Sequence, residues 1–262
     1  MQAKVFYFSF LVFLSFILFS VLNYSQISDL KQIPLQYQVV KVSASVIISD
    51  NELLFFYINP TQDSILSIRT TDLGNSWQAP SLIFKIKAHP NEKIFLSALI
   101  TDTKRIIVAW KYYTDSIAII NSDNFGQTWS SPKKIPGGNV SPFYTSVEDL
   151  VLTKSISNQI YLSFSYSNHR SIWFKKSADN GETWSDSAKI IWNAPYQISS
   201  PSIITLDDTN LLTVFSSEGS ILKIKSSDSG KTWTNPEMIF EDSLAIKYPR
   251  EIVKDDNKLW LV

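Results

Sequence analysis

The sequence predicts an all-β repeat protein, and three observations carry that prediction. An octapeptide of one shape recurs four times: TTDLGNSW at 70–77, SDNFGQTW at 122–129, SADNGETW at 177–184 and SSDSGKTW at 226–233. The residues in its third position, Asp72, Asn124, Asp179 and Asp228, are 52, 55 and 49 positions apart. Such a period marks an array of similar supersecondary units. Each copy follows a run that alternates apolar and polar residues, SILSIRT, SIAIIN, SIWFKK and SILKIKS, which is the period of a half-buried strand. No segment of useful length after residue 25 has helical period.

The octapeptide reads as the turn of a hairpin. The chain has 7 glycines in 262 residues, well under the usual usage of about 7%, yet four of them (Gly74, Gly126, Gly181 and Gly230) lie in these copies. A glycine there supplies a positive φ at little steric cost. The Asp side chain is expected to accept hydrogen bonds from backbone N–H groups one or two residues on, and the hydroxyl residues to bond the backbone locally. Trp77, Trp129, Trp184 and Trp233 can lie back over their turns as large apolar covers. Asn124 keeps a carbonyl acceptor, so the second copy can fold like the others. A calcium loop is excluded, because no copy has acidic residues at alternate positions and a closing Glu. These aspartates are read as structural.

The octapeptide resembles the Asp box of the sialidase-like, or BNR-repeat, β-propellers, and the resemblance covers residues 35–262. It implies a β-propeller of four-stranded antiparallel blades, with the box on the turn between the third and fourth strands. Cut at this repeat, the blades span 38–84, 91–136, 144–192 and 200–240. Second strands are expected at ELLFFYI, RIIVAWKYY, QIYLSFSYS and NLLTVFSS, and closing strands at APSLIF, SPKKIP and NPEMIF. The final YPREIVKDDNKLWLV aligns without gaps to SPSIITLDDTNLLTV at 200–214, and so reads as a partial fifth blade at 241–262. Sialidase-like rings have six blades, so the expectation is a fragment of a six-bladed ring. A five-bladed ring closed by an N-terminal strand from residues 30–42 is the alternative.

The N-terminal 25 residues differ in kind. Lys4 is followed by 18 uncharged residues, Val5 to Leu22. That fits a secretory signal peptide, with Ser25 as the last residue removed, or an uncleaved membrane anchor. In both cases residues 26–262 are exported to the periplasm, the cell surface or the medium. Zero cysteines mean an exported domain without disulfides. The 24 acidic and 24 basic side chains cancel with no long run of one sign. Neither nucleic acid nor an anionic membrane surface is indicated as a partner. Membrane contact is expected only through the N-terminal segment, if it is retained.

No cofactor is indicated. His89 and His169 are the two histidines; with no cysteine they make no His/Cys metal site, and both are read as loop residues. Neither a Gly-rich phosphate loop nor a G-x-S-x-G nucleophile elbow is present. The resemblance suggests what else to seek. Exo-sialidases grip a substrate carboxylate with three arginines, the first in a Tyr/Phe-Arg-Ile-Pro motif. They use an Asp as acid/base and a Glu-activated Tyr as nucleophile, an exception to the two-carboxylate scheme. Counted back from LLFFY, the first motif falls on VKVS. Lys41 takes the arginine position and the proline is missing, so the charge is kept and the planar fork is lost. Asp63 lies where the acid/base would be, with a polar residue that merely opens a strand as the alternative.

The sequence holds four arginines. Arg69 precedes a box at the outer rim, Arg105 opens a second strand, and Arg170 is read in a hairpin turn, NHR. Arg250 opens an inner strand and is followed by Glu251. Glu148 and Asp149 take the matching place in the third blade. Lys41, Glu148, Asp149, Arg250 and Glu251 are therefore the candidate ligand contacts, with solvated loop ends as the alternative for each. Two function classes stay open: an exported binding propeller for glycan or protein, and a sialidase-like glycoside hydrolase whose remaining catalytic residues lie beyond residue 262.

Overall fold

The computed structural model describes residues 43–59, 61, 63–86, 94–112, 116–136, 147–166, 169–185, 189–193, 198–217, 219–241, 252–255 and 258–261. All regular structure among them is β. Four antiparallel four-stranded sheets follow one another along the chain. The first holds β1 (Ser43–Ser49), β2 (Glu52–Ile58), β3 (Ser64–Thr70) and β4 (Ser81–Lys85). The second holds β5 (Leu96–Ile100), β6 (Ile106–Tyr112), β7 (Ser116–Ser122) and β8 (Lys133–Pro136). The third holds β9 (Val147–Lys154), β10 (Ile160–Tyr166), β11 (His169–Ser177) and β12 (Lys189–Asn193). The fourth holds β13 (Ile198–Thr205), β14 (Leu211–Ser217), β15 (Ser220–Ser226) and β16 (Glu237–Glu241). In each sheet the strands pair in chain order, and the octapeptide joins the third to the fourth. The first strands β1, β5, β9 and β13 contact one another in succession, and β13 contacts β17 (Ile252–Asp255) of a two-stranded hairpin with β18 (Lys258–Leu261).

The second strands explain the packing. Side chains alternate between sheet faces, and here both faces meet another sheet. Leu54, Phe56 and Ile58 of β2 share a core with Ile106, Val108 and Trp110 of β6. Ile107 and Ala109 face the other way and share a core with Ile160, Leu162 and Phe164 of β10. Tyr161 in turn joins Leu211 and Phe215 of β14. Two-sided burial is why these strands read as nearly continuous apolar runs. Each fully buried side chain of this size contributes about 1.5–3 kcal/mol of transfer free energy. The outermost strands bury little: β16 is exposed along its length.

The octapeptide forms one structure four times over. In the first copy Asp72 Oδ1 accepts from Thr70 Oγ1 and from the Ser76 N–H, both at 2.8 Å, and Oδ2 accepts from Ser76 Oγ at 2.6 Å. Thr70 Oγ1 accepts from the Gly74 N–H at 2.8 Å. The third and fourth copies repeat this around Asp179 with Ser177 and Thr183, and around Asp228 with Ser226 and Thr232. In the second copy Asn124 Oδ1 accepts from Ser122 Oγ and the Thr128 N–H, both at 2.9 Å, while its Nδ2 donates to Thr128 Oγ1 at 2.7 Å. The carboxylate thus ties the residues two before and four after it, a longer reach than the one or two residues expected from sequence. The expected positive φ holds at all four glycines, and the residue before each, Leu73, Phe125, Asn180 and Ser229, is also left-handed.

The turns are also mortar between sheets. Trp129 meets Phe56 of the first sheet edge-on at 5.8 Å, and Trp233 meets Phe174 of the third at 5.7 Å. Trp184 packs on the core between the second and third sheets. The indole N–H groups of Trp77, Trp184 and Trp233 are buried without a hydrogen-bond partner among the described residues, so these rings act as apolar mass. Glycine is required by proximity as well as by φ: a Cβ on Gly230 would lie 2.5 Å from the Phe174 ring.

The C-terminal hairpin departs from the gapless alignment. Ile204 pairs with Leu212 in the fourth sheet, which would put Ile252 opposite Trp260; Ile252 instead pairs with Leu261. Two residues separate Asp255 from Lys258, against five between Thr205 and Leu211. The shorter connection slips the register by one.

Candidate functional site

Each sheet has a box end and an opposite end. β3 runs seven residues from Ser64 to Thr70, at the box, which is about 20 Å of strand.

The box end is a set of clasps between sheets. Arg69 pairs with Glu52 of its own sheet and donates to the Phe125 carbonyl of the second box. Arg105 of the second sheet binds Asp123 at 2.5 Å and reaches the third box through Glu182 and, at 3.4 Å, the Asn180 carbonyl. Lys154 pairs with Asp102 across the same seam. Asp208 accepts from the Ser157 N–H at 2.6 Å across the next. Arg69 and Arg105 are therefore engaged in joining neighbours. Two box carboxylates of this end are held ionised: Asp72 lies at about 2, chiefly through the Ser76 hydroxyl and N–H. For Asp179 burial acts upward and is outweighed by hydrogen bonds from Thr183 and Ser177, leaving it also at about 2.

The opposite end carries the other candidates. Asp63 sits on the turn between β2 and β3, exposed. Its Oδ1 accepts from Ser64 Oγ at 2.7 Å and from Asn59 Nδ2 at 2.6 Å. Those two bonds, Ser64 first, hold its carboxyl below the ordinary value, which favours the ionised form. Both of these partners lie on its own turn.

Glu148 and Asp149 stand within β9, at the end away from the third box. Ser165 pairs with Glu148 and Ser163 with Val151, so Asp149 and Leu150 together oppose Phe164. This is a β-bulge, with Asp149 at φ 48°. Bulges bend a strand and re-aim its side chains. β13 has a register shift at the matching place, between Ser199 and Ser202. Asp149 is half-buried.

Lys41, Arg250 and Glu251 lie outside the described residues, as does His89. Two expectations are corrected. His169 and Arg170 are not in a loop or turn: their backbones open β11, and His169 pairs with Tyr166. The strand begins there because the β10–β11 connection is only two residues long.

Two buried lysines escaped sequence reasoning. Lys111, 5% exposed, is the next-to-last residue of β6, in phase with Ile107 and Ala109, on the face turned to the third sheet. Its signal was a charge inside the apolar run IIVAWKYY. Lys175, 1% exposed, donates from Nζ to the Ser185 carbonyl at 2.8 Å. It stands four residues before Asp179 of its box, where the other copies have Ile68, Ile120 and Ile224, so aligning the copies exposes it. Lys111 near the end of β6 and Glu148 and Asp149 in β9 lie at the same, box-distal end of their sheets. Among the described residues no group of three or more His, Asp or Glu could hold a metal ion.

The fold and the four boxes define a class: an all-β repeat protein assembled from four-stranded antiparallel sheets. The chain belongs to the BNR repeat-like domain family, whose model matches residues 105–251, more than half of it. Among solved structures it is similar to a protein of unknown function from Dyadobacter fermentans, at 15% identity and TM-score 0.66, over 84% of this chain and 73% of that one. It is similar to the NanB sialidase from Streptococcus pneumoniae at 13% identity and TM-score 0.60, over 81% of this chain and 54% of that one. It is also similar to an exo-β-1,3-galactanase from Clostridium thermocellum at 11% identity and TM-score 0.59, over 80% and 50%. The chain thus spans about half the length of the sialidase and of the galactanase. At these identities the likeness is one of fold. Comparison of the sequence with curated proteins found no match.

Proposed function

We propose that this chain is an exported, non-catalytic propeller that binds a glycan at the end opposite its boxes. Its four sheets and C-terminal hairpin are read as consecutive blades of a six-bladed ring. Glu148 and Asp149 contact the ligand, with Lys41, Arg250 and Glu251 as further contacts. The observation that carries this reading is the division of labour between the two ends. Arg69 and Arg105 are tied into sheet-to-sheet clasps, while the bulge at Asp149 bends the first strand of the third sheet at the other end. Asp63 is at that end too, but its proton is loosened by Ser64 and Asn59, the reverse of what a general acid needs. The structurally similar sialidase and galactanase make carbohydrate the first ligand class to test, although a fold alone does not assign a function.

The test is the purified full chain on a glycan array, beside an assay for release of a fluorescent aglycone from a sialoside. Binding without turnover supports the proposal. Turnover that disappears in Asp63→Asn would establish the hydrolase instead. A silent array with a protein captured at the same end would move the ligand class to protein.

A further inference from the structure

The third box contains Asn180–Gly181, the only Asn–Gly dipeptide in the sequence. Such a pair can react with itself. The Gly181 backbone nitrogen attacks Asn180 Cγ, the N–Cγ bond forms, and the Cγ–Nδ2 bond breaks. Ammonia leaves carrying the amide proton of Gly181. Water then opens the five-membered imide to an aspartyl or an isoaspartyl residue. No oxidant or cofactor is needed, and glycine favours the reaction because no side chain hinders the attacking nitrogen.

Every atom that must move is held. The Gly181 N–H donates to Ser177 Oγ at 2.9 Å, and the residue is buried. Asn180 Nδ2 donates to Thr103 Oγ1 of the second sheet at 2.7 Å. Asn180 Oδ1 accepts from Asn158 Nδ2 on the β9–β10 turn at 3.0 Å. The Asn180 carbonyl accepts from Arg105 at 3.4 Å. Ring closure requires the side-chain amide to leave two partners and fold back over a nitrogen that is itself tied. The other boxes place Leu73, Phe125 and Ser229 at this position, none of which carries an amide to lose.

We propose that Asn180–Gly181 is a latent site of spontaneous deamidation, kept unreactive by the seam between the second and third sheets. An isoaspartyl product would insert a methylene into the turn. A Cβ built on Gly181 would already lie 2.6 Å from Ile107 Cδ1, so the longer backbone has to displace that side chain. Opening of this seam is thereby recorded as a permanent chemical change.

The test follows the mass of the peptide containing Asn180 in the full chain, incubated at neutral pH in native buffer and in concentrated urea. Unfolding should raise the rate by at least about tenfold, the factor carried by the loss of a single net hydrogen bond of ~1.4 kcal/mol. Thr103→Val leaves the box itself intact and should raise the native rate several-fold while matching the parent in urea. Asn180→Ser, which copies the fourth box, should abolish the mass gain. Equal rates for the parent in buffer and urea, or no native acceleration in Thr103→Val, would overturn the proposal.

Discussion

Gly230→Ala and Gly74→Ala separate the two reasons for a glycine in the box. Both positions have φ near +80°, so both variants incur the left-handed cost of about 1–2 kcal/mol. They differ in what the new methyl meets. At Gly74 the nearest atom is Trp77 Cζ2, at 3.7 Å, an ordinary contact. At Gly230 it would lie 2.5 Å from both Cε1 and Cζ of Phe174. That ring cannot step aside: it is stacked on Tyr161 at 5.4 Å and edge-on to Trp233 at 5.7 Å. Overpacking of this kind adds about 1–3 kcal/mol. Gly230→Ala should therefore cost roughly 2–5 kcal/mol in all, against about 1–2 for Gly74→Ala. Thermal melting of the full chain resolves this, since each kcal/mol shifts the midpoint by about 2–4 °C at this size. Gly126→Ala and Gly181→Ala should fall between, because they press on the flexible ends of Leu54 and Ile107. Equal losses at Gly74 and Gly230 would refute the close approach between sheets as a reason for glycine.

Trp184→Ala should cost about 3 kcal/mol in the same melts, by removing the ring from the core between the second and third sheets; a parental melt with lost ligand binding would contradict a structural box. Arg105→Lys should lower stability by about 1 kcal/mol, a charge-assisted value reduced because both partner carboxylates are largely exposed. The test is the urea midpoint, which a single-pronged ammonium should fail to restore. Asp72 and Asp179 are depressed to about 2. Their contribution is complete above the ordinary aspartate value of about 3.9 and is lost as pH falls from there through about 2. Asp72→Asn, which copies Asn124, should flatten the acid side of the stability–pH curve; an unchanged slope would show that the carboxylate is not titrating with folding.

The repeat made the fold legible. Four copies of one turn, each after an alternating run, locate the third strand, and the apolar runs before them locate the second. The two-sided burial of β6 and β10 was less visible, because a run such as IIVAWKY fits a buried helix segment or strand equally well until its neighbours are known. The reach of Asp72 to Ser76 depends on two successive left-handed residues, and side-chain types such as Leu73 and Phe125 do not announce that conformation. Arg69 and Arg105 were placed on their strands, but the Phe125 and Asn180 carbonyls they meet lie some 50–75 residues on, and no local pattern encodes that contact. The bulge at Asp149 was equally silent, since an inserted residue shows only against its partner strand. Lys175 was available from the alignment of the boxes, as the one charge in a column of isoleucines.

The measurement that bears most directly on the account is glycan capture by three folded proteins side by side: parent, Asp149→Asn and Asp72→Asn. The account predicts that Asp149→Asn loses binding while melting like the parent, and that Asp72→Asn keeps it. Binding that survives Asp149→Asn but is lost in a folded Asp72→Asn would place the ligand at the boxes and contradict the division of the molecule into a constructed end and a binding end.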